Sequence, residues 1–239
     1  MRKRVGKMAT EIPFPYRVVR SRKRRTASLS IDMGQVEVRV PALVDNAWVE
    51  QWLLSKSDWV LPRLARQQED LADHEIRIEP GAQIFVAGEP RQLKWRRGAR
   101  SGVVETPDHL EVIISSRVRM AEVDAVHRQL KAWFAERAQS VLLERCKVLA
   151  EATGLKPAKV VVKDYRRKWG QCSSSGTVSL NWRLVHLAPH LQDYVIIHEL
   201  CHLKYMNHGR EFWGLVHRLD ADYDQNRRQL ARAYPYLMW

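Results

Sequence analysis

His198 and His202 stand four residues apart with Glu199 between them, inside the run Asp193-Tyr194-Val195-Ile196-Ile197-His198-Glu199-Leu200-Cys201-His202-Leu203-Lys204-Tyr205-Met206-Asn207-His208-Gly209. A helix turns about 100° per residue, so side chains four apart project from one face and their imidazoles can grip a single Zn²⁺. An uncoordinated carboxylate beside that grip can take a proton from water that the metal has acidified to a pKa of about 7. The pentapeptide thus carries the minimal set for metal-assisted hydrolysis. Its flanks bear on whether that set is used. Tyr194 to Ile197, with Leu200, Leu203 and Tyr205, predict a helix buried on most sides whose polar face looks into a cleft. A His-Glu-His set at such depth is costly unless a metal satisfies the imidazoles.

Zinc needs at least a third protein ligand, and the nearest candidate is His208. Asn207 and Gly209 flank it, and both residue types favour helix ends and turns, so the spacing predicts a helix ending near Met206 and a turn that brings His208 back to the metal. A second helix follows over 211–216. Glu211, His217 and Asp220 compete for the same role, each reaching back from further along the chain, and spacing leaves them open. Three histidines would leave the fourth position to water, the catalytic rather than the structural arrangement.

The elements that must position these residues read as α+β. Alternating runs at Ser28–Ile31, Val36–Val40, Gln83–Val86 and Leu110–Ile114 predict strands, and Trp48, Trp52, Trp59 and leucines at helical spacing predict one or two helices between Asn46 and Asp73. A long helix is expected from about Ala121 to Thr153, then a strand at Lys159–Val162. Lys168–Cys172 and Thr177–Leu184, joined by Ser-Ser-Ser-Gly, read as a β-hairpin. Lying just upstream of the histidine helix, it can form the upper rim of a cleft where an extended peptide pairs with a strand edge; equally, Trp169 and Trp182 can simply fill the core. The expected division is a basic tail at 1–14, a β-rich region at 15–118 and the histidine-bearing unit at 119–239, with Met8 as an alternative start.

Three cysteines, Cys146, Cys172 and Cys201, are too few and scattered for a disulfide framework and suit a reducing compartment. Buried packing is the default role of Cys201, and Cys172 can approach the cleft. No apolar run approaches the roughly 18 residues of a membrane span, and the basic start lacks the apolar core of a secretory signal, so a cytoplasmic location is expected. The net charge is +13, concentrated at Arg20–Arg25 and again at Arg166-Arg167-Lys168. The first can bind phosphates with strong salt dependence or serve as a solvated strand edge; the second can line a cleft and favour acidic peptides, hold a nucleic acid nearby, or be a solvated face. No zinc-finger or helix-turn-helix signature accompanies them.

Trp169-Gly170-Gln171-Cys172-Ser173-Ser174, then Gly176 to Leu184, then His198-Glu199-Leu200-Cys201-His202 and Asn207-His208, closely resemble the YgjP-like metallopeptidase family, with a more distant similarity to SprT-type zinc proteases. The resemblance spans nearly the whole chain, and Ser21 to Leu29 also looks like the family's opening. It implies a zincin-like C-terminal unit with a β-rich N-terminal part, one Zn²⁺ bound by His198, His202 and His208, and Glu199 as general base. Gln171 stands where Ser is usual, Ser175 where a basic residue is common, Cys201 where Ala is common and Gly209 where Ser is common; none removes a ligand. Two functions follow as expectations. One is a zinc metallopeptidase acting on a peptide or protein substrate. The other is a basic nucleic-acid-associated protein whose zinc site is structural or inactive. Oligomeric state has no signature in the chain.

Overall fold

The computed structural model describes residues 11–32, 34–74 and 76–239, so the first ten residues of the expected basic tail, Met8 included, lie outside the described residues. The architecture is mixed α+β, and the chain forms two compact units, 1–73 and 74–239.

The first unit contains strands β1 (Tyr16–Ser21), β2 (Ser28–Asp32) and β3 (Gln35–Pro41) in the order β1-β3-β2, with β3 parallel to β1 and antiparallel to β2. Alternation in β3 turns Val36, Val38 and Val40 to one buried face. Helices α1 (Asn46–Leu54) and α2 (Ser57–His74) add Val49, Leu53, Val60 and Leu64 to that core. The expected helical region thus resolves into two helices. The basic run Arg20–Arg25 falls at the end of β1 and in the turn to β2.

In the second unit, strands β4 (Gln83–Val86), β5 (Glu89–Gly98), β6 (Gly102–Glu105) and β7 (His109–Ser115) form a sheet ordered β4-β5-β7-β6, and helix α3 (Glu122–Thr153) shares its core. Val126, Leu130, Phe134, Ala138, Leu142, Cys146 and Ala150 recur every four residues along α3 and are all buried, a ridge suited to packing against neighbouring elements. Gly154, at φ +72°, ends the helix in the left-handed region that glycine adopts without penalty. A second sheet follows: β8 (Lys159–Lys163), β9 (Gly170–Cys172) and β10 (Thr177–Asn181), ordered β8-β10-β9, so β9 is an edge strand. Then come a 3₁₀ segment (Trp182–His186), α4 (Pro189–Cys201), α5 (Arg210–Leu219), α6 (Tyr223–Arg232) and a final 3₁₀ segment (Tyr234–Met238). No helix among the described residues is long and apolar enough to cross a membrane.

Two boundaries differ from the sequence expectation. The second hairpin strand stops at Asn181 rather than Leu184, because the Asn181 side chain accepts from the Arg183 N–H (3.1 Å) and donates to the Tyr165 and Lys168 carbonyls (2.8 Å each), turning the chain into the 3₁₀ segment. The histidine helix stops at Cys201 rather than near Met206. There the Leu203 and Lys204 N–H groups bond three residues back, to Leu200 (3.0 Å) and Cys201 (3.1 Å), which tightens the last turn.

The approach to α4 is fixed from the other sheet. The β4–β5 turn places Ala87 (φ +52°) and Gly88 (φ +83°) in the left-handed region, as a two-residue hairpin turn requires. Their N–H groups donate to the Val185 (2.7 Å) and His186 (2.9 Å) carbonyls of the 3₁₀ segment. A side chain at Gly88 would lie 2.8 Å from Ala188, at the start of α4, so the turn and the helix entry interlock.

A candidate metal centre at the end of α4

The last turn of α4 carries His198 and Glu199, and His202 is its C-cap. Past the tightened turn the chain doubles back, and His208 arrives just before α5. The Nε2 atoms of His198 and His208 lie 3.1 Å apart, and one ligand atom from each of His198, His202 and His208 falls within 4.8 Å of the others. Two nitrogens bound tetrahedrally to one zinc at about 2.0–2.1 Å are themselves about 3.3 Å apart, so the pair fits a common ion. His202 Nδ1 lies 3.0 Å from the Tyr205 carbonyl oxygen. A carbonyl accepts only, so Nδ1 carries the proton and Nε2 offers its lone pair to a metal. Burial first, then the neighbouring His202 and His208, pushes His198 down to about 3, which keeps its imidazole neutral and available as a ligand.

Of the alternatives left open by spacing, none joins this group among the described residues. Asp220 accepts from the Asn226 side chain (3.0 Å) and the Asp222 N–H (3.1 Å), and His217 packs against the Tyr223 ring. Glu211 is exposed in the first turn of α5.

Glu199 lies against β9 and is not among the three residues whose ligand atoms converge. Its carboxylate occupies space that only a glycine can leave: a Cβ at Gly170 would lie 2.6 Å from both Cγ and Oε1 of Glu199. Burial raises Glu199 to about 7, opposed by a hydrogen bond from the Cys172 main-chain N–H and by the charge of Lys168. A carboxyl group poised near neutrality can both take up and release a proton at physiological pH. The Trp-Gly-x-Cys segment therefore abuts the site through its backbone.

β9 is the edge strand of its sheet and, among the described residues, pairs only with β10. Asn181 N–H donates to the Trp169 carbonyl (2.8 Å), so in the antiparallel pairing of β9 with β10 the residues at 170 and 172 turn their main-chain groups outward, away from β10. The Cys172 N–H reaches Glu199 from that side.

Sequence reasoning missed the floor of the site. Phe212 is fully buried, and its ring centroid lies 4.9, 4.5 and 4.8 Å from those of His198, His202 and His208, so all three imidazoles rest on one ring. Trp213 flanks His198 and His208 and is backed by Tyr223 and the Arg227 guanidinium. The helical spacing of 211–216 marks Phe212 as buried but not as the seat of a metal site. Seat and ligands are coupled through the start of α5, where Gly209 is the N-cap and offers no side-chain acceptor.

The remaining motif residues are structural. Trp182 is buried against Phe134 and Trp239, while Trp169 is half-buried against the same core. Arg183 is 3% exposed; it pairs with Asp164 (2.5 Å) and donates to the main-chain oxygen of Trp239. The three cysteines are free and buried. Burial raises Cys146 to about 11 and Cys201 to about 12, and burial with the nearby Glu199 charge raises Cys172, so none is a ready thiolate.

The family model described as YgjP-like, metallopeptidase domain, matches residues 25–233. Among solved structures, the metallopeptidase zymogen of Pyrococcus abyssi abylysin is similar at 20% identity with a TM-score of 0.34, over 37% of this chain and 90% of that one. No curated protein matches.

Proposed function

The chain belongs to the YgjP-like metallopeptidase family, and from that premise we propose that it is a zinc-dependent peptidase with a zincin-like centre in residues 119–239. His198, His202 and His208 hold one Zn²⁺, and Glu199 is the general base. The observation that carries this reading is the convergence of three imidazoles on one point beside a buried carboxylate that Gly170 alone makes room for.

A zinc ion held there supplies a Lewis acid that polarises the scissile carbonyl and acidifies water. The residues of the chain do the rest. Phe212 and Trp213 keep the imidazoles fixed from below, and the Tyr205 carbonyl holds the His202 ring in the tautomer that presents Nε2. The Cys172 N–H orients the Glu199 carboxylate. Glu199 accepts the proton of the attacking water on a carboxylate oxygen, then hands it to the departing amine. The outward main-chain groups of β9 other than the Cys172 N–H pair with an extended substrate and set its register above the histidines. The high pKa values of the buried thiols argue against a cysteine nucleophile.

Glu199→Gln tests this reading. It removes the base while keeping the shape, so zinc should stay bound at one ion per chain and peptide hydrolysis should fall by about 10²–10⁴-fold. Hydrolysis persisting in the zinc-loaded variant would overturn the assignment of Glu199.

A further inference from the structure

The loop between β8 and β9 ends at Gly170, against Glu199, and begins at Asp164. Its middle is pinned. Asn181, fully buried, donates through one amide nitrogen to the carbonyls of both Tyr165 and Lys168 (2.8 Å each), clamping the tetrapeptide at its two ends. Between those clamp points, Arg166 and Arg167 are exposed, and neither meets an acid among the described residues. The acid nearest in sequence, Asp164, is engaged by Arg183 (2.5 Å) and Lys131 (2.8 Å). Lys168 is folded back over the Tyr165 ring, 4.5 Å from its centroid, and bonds the Gln171 side chain (2.6 Å). Two unpaired guanidinium groups are thus held on a fixed backbone beside the edge strand β9.

We propose that Arg166 and Arg167 are specificity-determining residues that select peptides acidic on the C-terminal side of the scissile bond. The proposal rests on the peptidase reading above. A strand that pairs antiparallel with β9 runs its C-terminal half past the N-terminal end of β9, toward Arg167 and Arg166. Arg167 and Arg166 stand three and four residues upstream of Gly170, in a loop that the Asn181 clamp bends, so the acids they would meet fall on the C-terminal side of the cleaved bond. A guanidinium fork binds carboxylates with two parallel hydrogen bonds, and the pinned backbone reduces the entropy lost when it does so. The surroundings favour a peptide over a single-stranded nucleic acid. Base stacking needs open aromatic faces, but Lys168 covers Tyr165, and Trp169 packs against the core.

The test uses the zinc-loaded full-length chain and three fluorescein-labelled peptides identical except for Asp, Asn or Lys at the second to fourth positions after the cleaved bond. In the Glu199→Gln background, where turnover is removed, the Asp peptide should bind about tenfold more tightly, the product of exposed ion pairs worth a few-fold each. That advantage should shrink as salt rises from about 0.05 M to about 0.5 M. It should vanish in Arg166→Ala/Arg167→Ala and invert toward a Lys peptide in Arg166→Glu/Arg167→Glu, an inversion that a merely structural loop does not give. Wild type should cleave the Asp peptide with about tenfold higher kcat/KM. Equal binding of the Asp and Asn peptides, or a preference that survives the Arg166→Ala/Arg167→Ala change, overturns the proposal. So does an oligonucleotide that binds through these two arginines while the peptides are indifferent to them. Absence of any cleavage by wild type, with the arginine-dependent binding intact, overturns the peptidase reading instead.

Discussion

Gly170→Ala puts one methyl group where Glu199 now sits. The added Cβ would lie 2.6 Å from Cγ and Oε1 and 2.9 Å from Cδ, whereas carbon atoms at rest are about 3.5–4.0 Å apart, so carboxylate or strand must yield by about 1 Å. Gly170 is not in the left-handed region, so alanine suits the backbone and the conflict is purely steric. Overpacking of this kind costs about 1–3 kcal/mol of stability. A displacement of about 1 Å in a catalytic group reduces rate by about 10²-fold. Urea unfolding of the zinc-free protein measures the first effect, and hydrolysis of a fluorogenic peptide library measures the second. Zinc stoichiometry should not change, because no imidazole is touched. The decisive arm is the double variant Gly170→Ala/Glu199→Ala: shortening Glu199 empties the contested space, so the two changes should be non-additive, with most of the lost stability restored. Simple additivity, or an unperturbed Gly170→Ala, would refute the placement of Glu199 on β9.

Three further outcomes follow from the same structure. His208→Ala should leave the fold intact, since His208 is exposed, yet weaken zinc binding by more than about 100-fold in a chelator competition, since losing a residue that only orients a ligand already costs about 10–100-fold; unchanged affinity would hand the third ligand to another residue. His186 is driven by burial down to about 4, against the Phe85 carbonyl that favours its charged form. The unfolded chain protonates near 6.5 and folded His186 does not, so its share of stability, at most about 3 kcal/mol, should be lost as pH drops from about 6.5 to about 4; His198, also lowered by burial, adds to that slope in zinc-free protein, and His186→Phe should remove only the His186 share in urea titrations. Iodoacetamide at pH 8 should leave the folded protein unlabelled and fully active and should label all three cysteines in urea, because the raised thiol pKa values leave few thiolates; rapid labelling with loss of activity would reopen a thiol mechanism.

How much of this was legible in the chain depended on the range of the interaction involved. His198 and His202 follow from helical period, and His208 from the turn chemistry of Asn207 and Gly209, because each signal is local. The alternation of Val36, Val38 and Val40 and the four-residue ridge from Val126 to Ala150 are local patterns of the same kind. The helix end at Cys201 was misplaced because Leu203 and Tyr205 continue the apolar rhythm, while the tightened turn leaves no mark on composition. Asn181 ended its strand through bonds to residues 13 and 16 positions upstream, which alternation cannot register. Gly170 and Phe212 were visible as a motif glycine and a core aromatic. Their work is done against residues far along the chain, Glu199 for the one and His198 and His202 for the other, and only the packed fold brings these together.

The central claim is that one zinc ion sits among three histidines with Glu199 left uncoordinated beside it. Anomalous diffraction at the zinc edge from crystals of the zinc-loaded Glu199→Gln protein tests it directly. The account predicts one strong peak per chain, at about 2.0–2.1 Å from a nitrogen of each of His198, His202 and His208, with no bond to residue 199. A peak elsewhere, or one bound by only two of these histidines or by a fourth protein side chain that closes the site, would contradict it.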